Sequence, residues 1–206
     1  MQVRISAKAL RATAHCMAEK DTRYYLNGTL LDVTGPTEAF LVSTDGHVLF
    51  AGRVELEYLE GAQTAPYQLI IPAEVIRKLD KKAQSFVLES LPDGRYMLGG
   101  QVFTAIDGKF PDYRRVIPLQ GALSGVAAQF NPDLVQRAVK AVKDWHGLKA
   151  TSSEWGMKHN GDSAVVFGKD ASCVAVVMPM NTRTADLDNT YYHGFLSPTQ
   201  AFQKAA

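Results

Sequence analysis

Apolar and polar positions along the chain change period three times, in the same order each time. Residues 1–5 alternate, as a half-buried strand does. Residues 7–18 switch to a helical period. Ala7, Leu10, Ala14 and Met17 fall on one stripe, Lys8, Arg11 and His15 on another, and Ser6 stands where an N-cap belongs. Alternation returns at 25–33, 39–43 and 48–56, with Gly35-Pro36 and Asp45-Gly46 as the turns between. A second round follows: a strand at 67–71 and a helix at 73–82 opened by Pro72. Val75, Ile76 and Leu79 point inward there, and Arg77, Lys78 and Lys81 outward. Strands come next at 85–91, 95–98 and 102–106, parted by Pro92-Asp93-Gly94 and Gly99-Gly100. The third round has a strand at 126–130, then Asn131-Pro132 as cap and first-turn proline of a helix reaching about Trp145. Its inward side is Leu134, Val135, Ala138 and Val142, its outward side Arg137, Lys140 and Lys143. Strands near 150–157, 163–168 and 173–178 close it. The pattern predicts an α+β fold of three βαβββ units of roughly 60 residues each, modules that bury their faces against one another.

Between the second and third units lies Asp107-Gly108-Lys109-Phe110-Pro111-Asp112-Tyr113-Arg114-Arg115-Val116-Ile117-Pro118. Each proline biases the residue before it toward extended backbone. A solvent linker would carry Ser, Gly and Lys rather than the aromatic pair Phe110 and Tyr113. The stretch reads as an ordered connector whose large side chains anchor in the modules on either side.

With 206 residues the chain can form one large or two small domains. No apolar run approaches the roughly 20 residues of a membrane helix, and the first five residues read as a strand rather than a signal peptide. Both predict a cytoplasmic protein without a membrane partner. The two cysteines, Cys16 and Cys173, fall in a helical and a strand pattern, which suits buried thiols in a reducing compartment. Catalytic candidates are lacking. Ser43 precedes Thr44-Asp45-Gly46-His47, but adjacency in a turn does not set a serine against a histidine. No phosphate-cradling glycine loop is visible. The histidines, His15, His47, His146, His159 and His193, fall on helices, turns and loops and not at matching strand positions. That argues against a paired βαβββ metalloenzyme of the vicinal-oxygen-chelate type, and neither metal nor cofactor is expected.

The 22 Lys and Arg nearly balance the 21 Asp and Glu, for a net charge of +1. The distribution says more than the sum. All three helices carry a basic stripe, while Asp32, Glu38, Glu55, Glu57, Glu60, Glu89 and Asp93 lie on strands and loops. One basic helix face is ordinarily just solvated. Three in succession fit a surface that tracks a phosphate backbone without reading sequence.

Four stretches carry a family resemblance: Arg23-Tyr24-Tyr25-Leu26-Asn27-Gly28, Thr44-Asp45-Gly46-His47, the connector, and Val176-Val177-Met178-Pro179-Met180. In this order and spacing they resemble the bacterial DNA polymerase III β sliding clamp. Residues 1–118 resemble its complete middle domain, 119–180 only the second half of its C-terminal domain, and 181–206 form a tail. The N-terminal domain and the first half of the last one have no counterpart. The family's arginine after Thr-Asp-Gly-His is Val48 here, and the one after Met-Pro-Met is Asn181, so the groove described next is less basic.

The resemblance implies a non-catalytic DNA replication accessory protein, a processivity factor. Its groove would hold clamp-binding peptide motifs of DNA polymerases, the clamp loader and repair proteins. By motif, the groove would be lined by Leu26, Thr44, Gly46, His47, Leu49, Pro111, Arg115, Val116, Asn131, Leu134, Val177, Met178, Pro179 and Met180. Adaptable methionines and a wall fixed by proline suit an extended peptide. The DNA-facing set would be Lys8, Arg11, Lys20, Arg23, Tyr24, Arg77, Lys78, Lys81, Arg137, Lys140 and Lys143, against duplex DNA without sequence specificity. The third unit has no partner unit within the chain, which predicts a homo-oligomer, most simply a dimer. A partial clamp or decoy that competes for partners without encircling DNA is the alternative. In the tail, Tyr191, Tyr192, Phe195 and Leu196 are expected to dock on the uncovered side of the third unit or, as the alternative, in the peptide groove, with a short helix after Ser197-Pro198.

Overall fold

The computed structural model describes residues 1–61, 66–117, 130–159 and 163–180. The first unit is β1 (Gln2–Ser6), α1 (Ala7–Ala14), β2 (Gly28–Val33), β3 (Glu38–Thr44) and β4 (Val48–Glu55), followed by an added strand, β5 (Glu57–Glu60). The second is β6 (Tyr67–Pro72), α2 (Ala73–Lys78), β7 (Ser85–Ser90), β8 (Tyr96–Leu98) and β9 (Gln101–Phe103). The third contributes α3 (Pro132–His146), β10 (Gly156–His159), β11 (Ala164–Phe167) and β12 (Cys173–Val177). The strand expected at 126–130 and the whole of the tail fall outside the described residues, except Phe130.

The first two units exchange their leading strands. β1 leaves its own unit to pair antiparallel with β7, and β6 pairs antiparallel with β2. One sheet therefore runs β5-β1-β7-β8-β9. The other runs β10-β11-β12-β4-β3-β2-β6, so the third unit prolongs the first unit's sheet through β12 and β4. On one face of this larger sheet α1 packs between α2 and α3. The main core fills the space among helices and sheets, with Val3, Leu10, Leu31, Leu41, Phe50, Ile71, Leu88 and Val142 essentially out of water. A second apolar cluster lies on the opposite face of the sheet: Leu30, Val42, Leu49, Ala51, Ile70 and Val176, capped by Phe110 and Tyr113 of the connector. Every residue of β2 is buried because helices cover one of its faces and the connector the other.

Several element ends differ from the periodic pattern. α1 was expected to reach residue 18 and stops at Ala14, because the Ala18 N–H turns to the carbonyl of Leu26 instead of back along the helix. Cys16, Met17 and Ala18 are buried all the same, in the turn that follows. Ser6 holds the N-cap position without a side-chain capping bond. The strand expected from residue 25 begins at Gly28, since Tyr24–Leu26 coil into a 3-10 turn. α2 ends at Lys78, four residues early, where Leu79 is extended. At α3 the expected cap is present: Asn131 Oδ1 accepts the Asp133 N–H at 2.9 Å, and Gly147 closes the helix at φ 65°.

Candidate functional site

β3 and β4 meet at the turn Thr44–Leu49, and this turn is tightly held. Thr44 Oγ1 donates to the Val48 carbonyl at 2.8 Å and accepts the Gly46 N–H at 3.0 Å. Asp45 Oδ1 accepts the N–H groups of His47 and Val48 at 2.8 and 2.9 Å. Its Oδ2 takes Arg137 Nη1 of α3 at 2.6 Å, and Arg137 also donates to the carbonyls of His15 and Met17. Gly46 sits at φ 90°, where any Cβ would also come within 2.8 Å of the Arg23 guanidinium. Arg23 in turn donates to both Asp21 carboxylate oxygens and to the Asp45 carbonyl. The Arg23 hydrogen bonds hold the Asp21 carboxyl down at about 2.

The connector forms the opposite wall. A 3-10 turn at Tyr113–Val116, capped by Asp112, buries Tyr113 and points Val116 outward. Its anchor is Asp32 on β2, only 5% exposed. Asp32 Oδ2 accepts Tyr113 Oη–H at 2.9 Å and Arg114 Nη2 at 2.7 Å, and Oδ1 accepts Gln68 at 3.1 Å. Arg114 also lies over the Tyr113 ring, 4.5 Å from its centroid. Burial, then the bond to Asp32, drives the Tyr113 hydroxyl well above the usual phenol range. The third wall comes from β12: the Met178 N–H donates to the His47 carbonyl at 2.9 Å and brings that side chain, 40% exposed, to the rim.

Together these walls enclose a groove of about 240 Å³. Leu26, Leu49, Phe110, Tyr113 and Val176 form a buried apolar floor, and Arg23, His47, Asp112, Val116 and Met178 stand around it. Of the residues expected there, Leu26, Thr44, Gly46, His47, Leu49, Pro111, Val116 and Met178 meet at it. Arg115, Asn131, Leu134, Val177, Pro179 and Met180 do not line it. Asn131 is committed to capping α3, and Leu134 and Val177 pack toward the main core, because alternation along β12 turns Val176 to the groove and Val177 away. Arg23, Val48, Phe110, Asp112, Tyr113 and Val176 line it without having been assigned to it. The connector's two aromatics were the available signal.

Several members of the basic set have partners within the chain. Arg137 is not a free member of a stripe but ties α3 to the turn through Asp45. Arg23 serves the groove. Arg11 donates to the carbonyls of Lys81 and Ala83, Arg77 pairs with Glu19 at 2.8 Å, and Lys143 donates to the Ala150 carbonyl. Lys8, Lys20, Lys78, Lys81 and Lys140 are exposed, as is Tyr24. Among the described residues no group of three or more His, Cys, Asp or Glu could hold a metal ion. No described helix is long and apolar enough to cross a membrane.

Comparison with known proteins gives three results. The family model described as DNA polymerase III beta subunit, central domain, matches residues 2–112. The beta sliding clamp of Vibrio cholerae is 32% identical over 171 residues, 77% of this chain and 45% of the relative. That of Escherichia coli K12 is 35% identical over 118 residues, 54% of this chain and 31% of the relative. The chain thus spans less than half the length of these relatives. Among solved structures, the DNA polymerase III subunit beta of Pseudomonas aeruginosa superposes with a TM-score of 0.66 at 22% identity, over 87% of this chain and 66% of that one. The Helicobacter pylori beta clamp bound to a DNA ligase peptide gives 0.64 at 14% identity, over 86% of this chain and 65% of that one. At these identities the structures bear on the fold alone, and it is the α+β clamp fold.

Proposed function

Because the chain belongs to the DNA polymerase III beta-subunit family, we propose that it is a non-catalytic, clamp-like accessory protein of DNA replication or repair whose groove holds short peptide motifs of its partners. The observation that carries this reading is the groove itself. Three segments far apart in sequence converge on an apolar floor with a methionine and a histidine at the rim. An extended peptide can insert large side chains there, and Met178 can adapt to several of them. Polymerases, the clamp loader and repair proteins are the proposed partners; the Helicobacter pylori clamp was solved with a DNA ligase peptide. On this reading residues 1–118 act as one clamp domain, 119–180 as half of another and 181–206 as a tail, in a cytoplasmic homo-oligomer, most simply a dimer. The exposed lysines of the three helices would meet duplex DNA through phosphates, whether in a closed ring or as a partial clamp that competes for partners.

A peptide carrying a Gln followed by Leu and Phe tests the groove. It should bind on the order of micromolar by calorimetry, driven by side-chain insertion. Met178→Ala should weaken it several-fold, and Leu26→Ala with Met178→Ala more than tenfold. Absence of binding up to millimolar would remove the reading. DNA contact is separate: affinity should be independent of sequence and fall steeply with salt, and less steeply once Lys78, Lys81 and Lys140 are replaced.

A further inference from the structure

The row of helices α2-α1-α3 ends differently on its two sides. Beyond α2 stand Glu74, Arg77, Lys78 and Lys81, a charged and exposed face. Beyond α3 lies a groove of about 680 Å³ with an apolar lining of Phe130, Val135, Val139, Leu148 and Trp155. Val135 and Val139 are one helical turn apart and half-buried, and Trp155 is 36% exposed. A face of that composition at a surface is the mark of a contact.

The pairing rules inside the chain identify what it contacts. In the first unit, the strand that follows the helix, β2, has its outer edge filled by β6 of the second unit. In the second unit the corresponding strand, β7, has its outer edge filled by β1 of the first. Each unit thus completes the other's sheet, and their helices pack together. β10 is the corresponding strand of the third unit. Among the described residues it pairs only with β11, and Met157 on it is 39% exposed. At its end the buried His159 Nδ1 has no hydrogen-bond partner among the described residues. Among the described residues, an open edge and an uncovered apolar helix face thus occur together where another unit of the same kind would sit.

We infer that the third unit is completed by the third unit of a second copy of this chain, α3 against α3 about a twofold axis. This deepens, and rests on, the reading of the chain as a homo-oligomer. A twofold contact is self-complementary. With the two helices antiparallel, Val139 lies near the axis. Asp133 at the start of one helix then faces the Lys140 and Lys143 half of the other, so the polar rim is matched in charge as well. The groove at Met178 is left out of this contact.

Light scattering of the full chain should give twice the 22.5 kDa chain mass. Val139→Glu and Trp155→Glu should each shift this toward a single chain while leaving peptide affinity in the Met178 groove unchanged. Gln136→Cys, exposed on the same face, should be joined into a dimer by a short bismaleimide, and Lys78→Cys on the far helix should not; the native thiols Cys16 and Cys173 are buried. If either charged variant misfolds, the cross-link decides. A parent chain that stays monomeric, a dimer that survives both charged substitutions, or cross-linking at Lys78→Cys but not at Gln136→Cys would overturn the proposal. Loss of peptide binding alone would count against the groove and leave this interface standing.

Discussion

Gly52 is the seat of the third unit. It lies on β4 opposite Cys173 of β12, at the seam where the first and third units share a sheet. Trp145 of α3 lies flat over it. A Cβ at Gly52 would come within 2.5 Å of Trp145 Cη2, against ordinary contact of 3.4–4 Å. The indole cannot step aside, because its ring packs at a tilt of 56° against Phe50, centroids 5.6 Å apart, and its Nε1 donates to Ser172 Oγ at 2.9 Å. Gly52→Ala should therefore cost about 1–3 kcal/mol by overpacking. For a chain of this size that is a fall of about 2–12 °C in Tm at fixed protein concentration. Trp145→Leu should cost about 2–4 kcal/mol alone through the cavity it leaves. That cavity is where the new methyl would go, so the double variant should cost less than the sum by at least about 1 kcal/mol. Urea denaturation of the four proteins measures the cycle. Peptide affinity should fall in Gly52→Ala too, since β12 delivers Met178 to the groove. A Gly52→Ala protein within about 0.5 kcal/mol of the parent, or costs additive to within that margin, would refute the seating argument.

Asp32→Ala should lower stability by about 1–3 kcal/mol, the lower part of the range for Arg114, which is half in water, and more for the buried Tyr113 hydroxyl left unpaired. Because the connector then loses its anchor, peptide titration should show weaker binding as well. Gly46→Ala should cost about 1–2 kcal/mol for a left-handed backbone and displace Arg23, and calorimetry should find groove affinity hurt more than in variants of equal stability elsewhere. His146, whose side chain is 3% exposed, has its pKa pulled down chiefly by burial. Below about pH 6.5 the unfolded chain then takes up the proton more readily than the folded one. Stability should thus drop as pH falls through the ordinary histidine range, and thermal melts of His146→Gln should lack that limb.

Periodicity reports which side of an element is buried and not what it is buried against. That is why the order of helices and strands was legible and the exchange of β1 and β6 was not: both read as ordinary leading strands. β5 was missed because Glu57 and Glu60 give it a polar edge. In the site, the Thr44–Leu49 turn and the connector stood out through their turn residues, prolines and aromatics. Asp32 with Arg114, or Asp45 with Arg137, did not, since a charge pair separated by more than eighty residues leaves no local trace. The basic stripes illustrate the same limit: helical spacing put Arg11, Arg77 and Arg137 outward, and carbonyls and carboxylates from other segments claimed them.

The exchange of leading strands has a consequence in time. β1 leaves the ribosome well before its partner strand, and its register with β7 spans Gln2↔Glu89 to Ser6↔Ser85. Until those distant residues are made, β1 has neither its main neighbour nor, in β5, its other edge. Contacts of such separation close slowly because the loop entropy is lost before they form. The nascent chain must therefore hold Val3 and Ile5 exposed through most of the synthesis of two units. The two units therefore gain their order together rather than in succession.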